Sequence, residues 1–136
     1  MPLSTRRGAR IAHIGIAVRA IDEMLPFYRE LLGLDDHPLA DSDGARIAGF
    51  SAEGSLVELL APSAADSPIA RFIDKRGPGI HHICFAVHDL DDTLARCRAT
   101  GIKLIDDTPR VGAEGKRIAF LHPSSTGGVL IELTED

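Results

Sequence analysis

Tryptophan is absent from this sequence, and aromatic residues of all kinds make up only 4% of it. Stacking platforms for nucleobases are built from such rings, so that mode of nucleic-acid binding is not expected. Positive charge is also short. Fifteen Lys and Arg stand against twenty Asp and Glu, for a net charge of −5, and the only basic cluster near the N-terminus is the Arg6-Arg7 pair. This balance argues against a surface for a phosphate backbone. No run of about 20 apolar residues occurs, so no membrane-spanning helix is expected. No secretory signal is visible either. The two cysteines, Cys84 and Cys97, sit in apolar patterns and read as reduced core residues of a cytoplasmic protein rather than a disulfide framework.

What is present is ordinary globular material: 136 residues, 44% apolar and 26% charged, enough for a single domain with a proper core. Residues 1–9 read as a flexible tail. Two stretches then alternate as strands do. In Ile11-Ala12-His13-Ile14-Gly15-Ile16-Ala17-Val18, one face carries Ile14, Ile16 and Val18, the other His13, Gly15 and Ala17. In Gly79-Ile80-His81-His82-Ile83-Cys84-Phe85-Ala86-Val87, one face carries Ile83, Phe85 and Val87, the other His82, Cys84 and Ala86. Each has a bulky apolar face and a face where a histidine lies among small side chains, which leave room for something else.

The two stretches belong to an internal repeat. A shift of 69 positions aligns His13 with His82, Ile14 with Ile83, Ala17 with Ala86, Val18 with Val87, Asp22 with Asp91, Leu25 with Leu94 and Arg29 with Arg98. The period is too long for a solenoid and there are two copies, which points to a duplicated module. In the first module the spacing predicts a strand over 11–18 and a helix capped by Asp22 and running to about Leu32, stopped by Gly33. Strands near 34–39, 45–50 and 55–60 follow, with turns at Asp41-Ser42-Asp43-Gly44 and Glu53-Gly54. A linker helix is predicted after Asp66-Ser67-Pro68, with Ser67 as cap, ending at Gly77-Pro78-Gly79. The second module repeats the plan: a strand over 80–87, a helix from Asp91 to about Thr100, and strands near 103–105, 117–121 and 129–133. The expected architecture is α+β, two tandem βαβββ modules (about 10–62 and 79–134) joined by a linker helix (about 66–77). They would form one domain over 10–136 around a central metal-binding cavity.

The last strand of each module carries a glutamate between leucines. Leu56-Val57-Glu58-Leu59 matches Leu130-Ile131-Glu132-Leu133 at a shift of 74. Glutamate is depleted in strands and rarely buried unless it has a partner. A buried lone carboxylate is costly and would sooner take up a proton or find a cation. Each module thus offers one His and one Glu, and face-to-face modules would let His13, Glu58, His82 and Glu132 converge. Two imidazoles and two carboxylates suit a first-row divalent metal such as Co, Mn, Ni, Zn or Fe(II), with positions left for water or substrate. Each residue also has a plain reading, a hydrogen-bonded core histidine or a solvent-facing strand glutamate. The doubling of both types is what favours ligands. His81 is read as structural because it points away from His82. His37, His88 and His122 are read as solvated, and the Asp35-Asp36, Asp91-Asp92 and Asp106-Asp107 pairs as turn and cap charges.

At these residues the chain resembles the vicinal oxygen chelate superfamily, and within it the methylmalonyl-CoA epimerases. The stretches that carry the likeness include His13-Ile14-Gly15-Ile16-Ala17-Val18, Asp66-Ser67-Pro68-Ile69-Ala70-Arg71-Phe72, His81-His82-Ile83-Cys84-Phe85, Phe120-Leu121-His122-Pro123 and Gly128-Val129-Leu130-Ile131-Glu132-Leu133. It covers about residue 10 to the C-terminus. The first-strand motif is common across the superfamily; the linker helix, the His-His-Ile-Cys strand and the Phe-Leu-His-Pro segment are more specific.

The resemblance implies His13, Glu58, His82 and Glu132 as ligands of one divalent metal per chain, cobalt first, with manganese, nickel and zinc behind it. It implies an acyl-CoA substrate, interconversion of (2R)- and (2S)-methylmalonyl-CoA through a metal-stabilised enolate, and a homodimer. Glu132 would be the first base and Glu58 the second. Lys116 and Arg117 have two readings of equal weight: contacts to the substrate carboxylate or the CoA phosphates, or solvated strand-end charges. One departure stands out: some epimerases carry a glutamate in the third strand of module one, where this chain has Ile47. Those members can have glutamine where this chain has Glu58. The same scaffold also hosts glyoxalase-type isomerases, ring-cleaving dioxygenases and metal-free sequestering proteins, and these are the alternatives.

Overall fold

The computed structural model describes residues 8–136; the expected tail at 1–9 falls mostly outside the described residues. The chain divides into two compact units. One is His13–His82, and the other is Ile83–Asp136 together with residues 8–12. The element order is β1 (Arg10–Ala17), α1 (Ile21–Leu25), β2 (Asp35–His37), β3 (Ala45–Ala52), β4 (Ser55–Pro62), α2 (Pro68–Arg76), β5 (Gly79–Val87), α3 (Leu90–Ala99), β6 (Arg110–Val111), β7 (Arg117–Leu121) and β8 (Ile131–Glu135). Twice, then, the chain runs β-α-β-β-β, with α2 between.

In the first unit the strand order is β2-β3-β4-β1. β1 runs parallel to β4, and β3 is antiparallel to both β4 and β2. The β3–β4 hairpin closes through Glu53 and Gly54, both with positive φ (53° and 84°). That is the backbone a tight two-residue hairpin loop requires, and it sets the register of the pair. The register places Glu58 opposite Gly49 on β3, while β1 presents Gly15 on its other side.

The second unit has the same order, β5-β8-β7-β6, with β5 parallel to β8 and the remaining pairs antiparallel. Here Glu132 lies between Cys84 on β5 and Phe120 on β7. The triplets Gly15/Glu58/Gly49 and Cys84/Glu132/Phe120 occupy equivalent sites. The repeat read from the sequence is therefore a repeat of strand register.

Two clusters fill the first unit. Val18, Phe50, Leu59 and Ala61 pack with Ile16, Met24, Leu25 and Tyr28. Ala17, Ala45, Leu60, Ile69 and Ile73 pack with Ile47 and Phe72. In the second unit Leu90, Leu94, Ala119, Leu121 and Leu133 form the centre. A fully buried leucine such as Leu59 contributes about 1.5–3 kcal/mol relative to its exposed state. The small-residue faces of β1 and β5 are the more buried ones, with His13, Gly15 and Ala17, and His82, Cys84 and Ala86, all buried.

Helix α2 begins as expected. Ser67 Oγ accepts a hydrogen bond from the Ala70 N–H at 3.2 Å, Pro68 follows, and Gly77 ends the helix at φ 76°. Several boundaries differ from the sequence expectation. Asp22 does not cap α1; the cap position is Ala20. The expected single helix continues past Pro26 as a π-helical segment, Pro26–Leu31, with the Leu32 N–H donating to the Phe27 carbonyl. Proline has no N–H to continue the α ladder and crowds the carbonyl four residues back, so the wider register takes over. Asp89, not Asp91, caps α3, its Oδ1 accepting from the Asp92 N–H at 3.0 Å.

The strand expected near 103–105 is reduced to a single bridge between Leu104 and Leu121, and the ladder forms instead at β6. Asp106 explains this: its Oδ2 accepts from the Phe120 N–H at 2.8 Å, taking a bond the ladder would otherwise use. β8 starts at Ile131 rather than 129. Gly127 and Gly128 both have positive φ, and Thr126 Oγ1 donates to the Val129 carbonyl at 2.6 Å, which holds the preceding residues in a loop.

Candidate active site

The first unit brings three of the four sequence-derived ligand candidates together. His13, on β1, Glu58, on β4, and His82, on β5, are only 4%, 3% and 5% exposed. Each can offer one ligand atom such that all three atoms lie within 4.8 Å of one another. His13 Nε2 and His82 Nε2 are 2.9 Å apart, with the rings edge to face at 87°. On the other side of the His13 ring, Nδ1 lies 3.1 Å from Glu58 Oε2. That contact is short but lies outside hydrogen-bond alignment.

Glycine makes this approach possible. A Cβ built on Gly15 would stand 2.6 Å from His82 Nδ1 and 2.9 Å from His82 Nε2. Gly49, opposite Glu58, is crowded too: a Cβ there would meet the His37 carbonyl oxygen at 2.6 Å. The glutamate is thus flanked by two positions where only glycine fits.

The residues present fit a divalent metal. Two ligands set at right angles around one ion, each at about 2.1 Å, are separated by about 3.0 Å. The two imidazole Nε2 atoms already have that spacing at 2.9 Å. Two imidazoles and a carboxylate suit a first-row divalent cation, and burial would strengthen their hold on it.

Glu132 lies in the second unit on β8, buried at 5% exposure, in register with Cys84 and Phe120. Its place there is the counterpart of Glu58's in the first unit. Ile47 is half-buried on β3 and packs with Ala17, Leu60, Ile69 and Ile73. Lys116 is exposed. Arg117 is engaged by two carboxylates: its Nη2 and Nη1 meet Asp91 Oδ1 and Oδ2 at 2.7 and 3.2 Å, and its Nε lies 3.5 Å from Glu135 Oε1. His122, read as solvated, accepts from the Ser124 N–H through Nδ1 at 3.0 Å and caps the short 3₁₀ turn Pro123–Ser125.

His81 corrects the sequence reading. Neighbours on a strand ordinarily face opposite ways, yet His81 Nδ1 is 3.0 Å from His82 Nδ1 and the ring centroids are 5.2 Å apart. Phe72, on α2, meets the His81 ring edge to face at 4.9 Å. The signal available in the sequence was the His-His pair itself.

The glyoxalase/bleomycin resistance protein/dioxygenase superfamily model matches residues 12–120. An uncharacterised Bacillus subtilis protein, YqjC, is 41% identical over 128 residues, covering 93% of this chain and 91% of its own. The mitochondrial methylmalonyl-CoA epimerase of Dictyostelium discoideum is 36% identical over 129 residues, covering 93% of this chain and 78% of its own. A solved methylmalonyl-CoA epimerase in complex with methylmalonyl-CoA and NH4+ superposes with a TM-score of 0.86 at 37% identity, covering 94% of both chains. With the repeated βαβββ order and the buried His–Glu–His set, these likenesses establish that the chain belongs to the glyoxalase/bleomycin resistance/dioxygenase superfamily and, within it, to the methylmalonyl-CoA epimerase family.

Proposed function

We propose that this protein interconverts the (2R) and (2S) forms of methylmalonyl-CoA by moving the proton at C2. The observation that carries the reading is the buried His13–Glu58–His82 set in a chain of this family. C2 stands between a thioester carbonyl and a free carboxylate. The thioester makes its proton removable, because the charge left behind can pass to the carbonyl oxygen. A divalent cation, when bound, would act as a Lewis acid on that carbonyl and offset the developing charge.

The chain's own part is to hold, orient and exchange protons. His13, Glu58 and His82 are the proposed ligands from the first unit. Glu132 is the proposed fourth, from its equivalence to Glu58 in sequence repeat and strand register. Cobalt is the proposed ion, with manganese, nickel and zinc as substitutes.

Inversion at one carbon needs one group to take a proton from one face and another to return a proton on the opposite face. Glu132 is the proposed first base and Glu58 the second, one from each module. A free glutamate titrates near 4.3, well below the pH at which a base works best. On each glutamate a carboxylate oxygen is assigned as the atom that takes or returns the proton. Ile47 has no proton to exchange, so a base at that position plays no part here. Lys116 and Arg117 are proposed to meet the substrate carboxylate or the CoA phosphates. Asp91 already engages Arg117, which makes Lys116 the stronger of the two. The active form is proposed to be a cytoplasmic homodimer. No helix among the described residues is long and apolar enough to cross a membrane.

The test is proton exchange at C2 of methylmalonyl-CoA in D₂O, followed by mass spectrometry, on metal-free protein and on protein loaded with Co(II). Metal-dependent deuterium uptake with loss of stereochemistry is expected. No exchange by protein shown to bind metal would leave the ligand set standing and overturn the substrate. A glutathione hemithioacetal would then be assayed next.

A further inference from the structure

We propose that His81 is the positioning residue of the metal site, its Nδ1 accepting a hydrogen bond from the Nδ1–H of His82 and so keeping the Nε2 lone pair of His82 for the cation. The inference rests on the metal-site reading above. It is carried by the line of contacts from Glu58 Oε2 to His13 Nδ1 (3.1 Å), His13 Nε2 to His82 Nε2 (2.9 Å) and His82 Nδ1 to His81 Nδ1 (3.0 Å).

A neutral imidazole has one N–H and one lone pair. His82 can therefore ligate through Nε2 only if its proton sits on Nδ1. Something must then accept that proton's hydrogen bond, and His81 Nδ1 is at the right distance. A ligating histidine held this way through its other ring nitrogen has its tautomer and its orientation set. Taking the cation requires His82 and His81 to hold complementary tautomers, with the His81 proton on Nε2; no charge changes. His81 is itself braced. Phe72 stands edge-on to it at 4.9 Å. Phe72 rides on α2, whose Ile69, Ala70 and Ile73 are buried. The linker helix thus bears on the metal ligand through two rings.

Two substitutions separate the acceptor from the packing. His81→Phe keeps a ring against Phe72 and removes the acceptor. His81→Asn places Oδ1 near the position of the imidazole Nδ1 and keeps the acceptor in a smaller side chain. Co(II) affinity is measured on the full-length chain by competition with a chromophoric chelator, together with the visible absorption of bound Co(II). Wild type is expected to bind. H81F should bind about 10- to 100-fold more weakly, with an altered Co(II) spectrum, and H81N should recover most of the affinity and the spectrum. Equal affinity in wild type and H81F would overturn the role of His81 and leave the metal site intact. Equal losses in H81F and H81N would overturn it as well, because packing would then be the cause. Failure of wild type to bind Co(II) would bring down the metal-site reading itself. If H81F does not fold by circular dichroism, His81→Leu takes its place under the same outcomes.

Discussion

Gly15 runs directly against the imidazole of His82, close enough that any side chain at position 15 would have to push the ring aside. Gly15→Ala should therefore act on the site more than on the fold. The crowding should cost about 1–3 kcal/mol of stability. Metal affinity should fall further than that loss explains, since His82 must turn away from His13. Thermal melts and a Co(II) titration on the same preparation check this; wild-type affinity in the alanine variant would refute it.

Glu132→Gln removes a carboxylate while keeping its volume. If Glu132 is the first base, C2 exchange should fall by about 10²- to 10⁴-fold with an unchanged circular dichroism spectrum. Normal turnover would remove it from the mechanism.

Metal should report on stability as well as on activity. A cation present at about 100 times its dissociation constant, bound only by the folded state, adds about 2.7 kcal/mol. Wild type should melt at a higher temperature with Co(II) and return on chelation. His13→Ala, which removes the residue between Glu58 and His82, should lose most of that gain. A full metal-dependent gain in His13→Ala would show that these three residues do not hold the ion.

Cysteine reactivity tests the burial pattern. The Cys97 thiol is held above its ordinary value of 9.0, chiefly because burial disfavours the thiolate, with Arg96 and Arg98 pulling the other way. A raised value means less thiolate at any given pH. Iodoacetamide should therefore label Cys97 more slowly than a free thiol at pH 8, and the rate should climb as the pH passes 9. Cys84 is fully buried and should label only on unfolding. Rapid labelling of either at neutral pH would contradict this.

Much of the architecture was legible because its signals are local. Alternation marked β1 and β5. Glu53-Gly54 marked a hairpin, and Ser67-Pro68 marked the start of α2. Three of the misplaced boundaries share a cause: a side chain or a proline took over a backbone bond. Asp106 intercepts the Phe120 N–H, Asp89 caps ahead of Asp91, and Pro26 turns the α ladder into a π one. Each depends on which rotamer a short polar side chain adopts, or on how a helix relaxes around a missing donor, and residue order does not encode either directly.

Residue order alone carries two copies of one module, each with a histidine on its first strand and a glutamate on its last. A duplication is one-dimensional information, and the two-residue period of a strand converts it into faces. Which atoms meet is a property of the folded chain. The 2.9 Å between the two Nε2 atoms, the contact of His13 Nδ1 with Glu58, and the turn of His81 toward His82 come from strand register and ring orientation. Those are set by residues far apart in the chain: the hairpin that fixes β4 against β3, the glycines that let strand backbone and ring approach, and Phe72 reaching from α2.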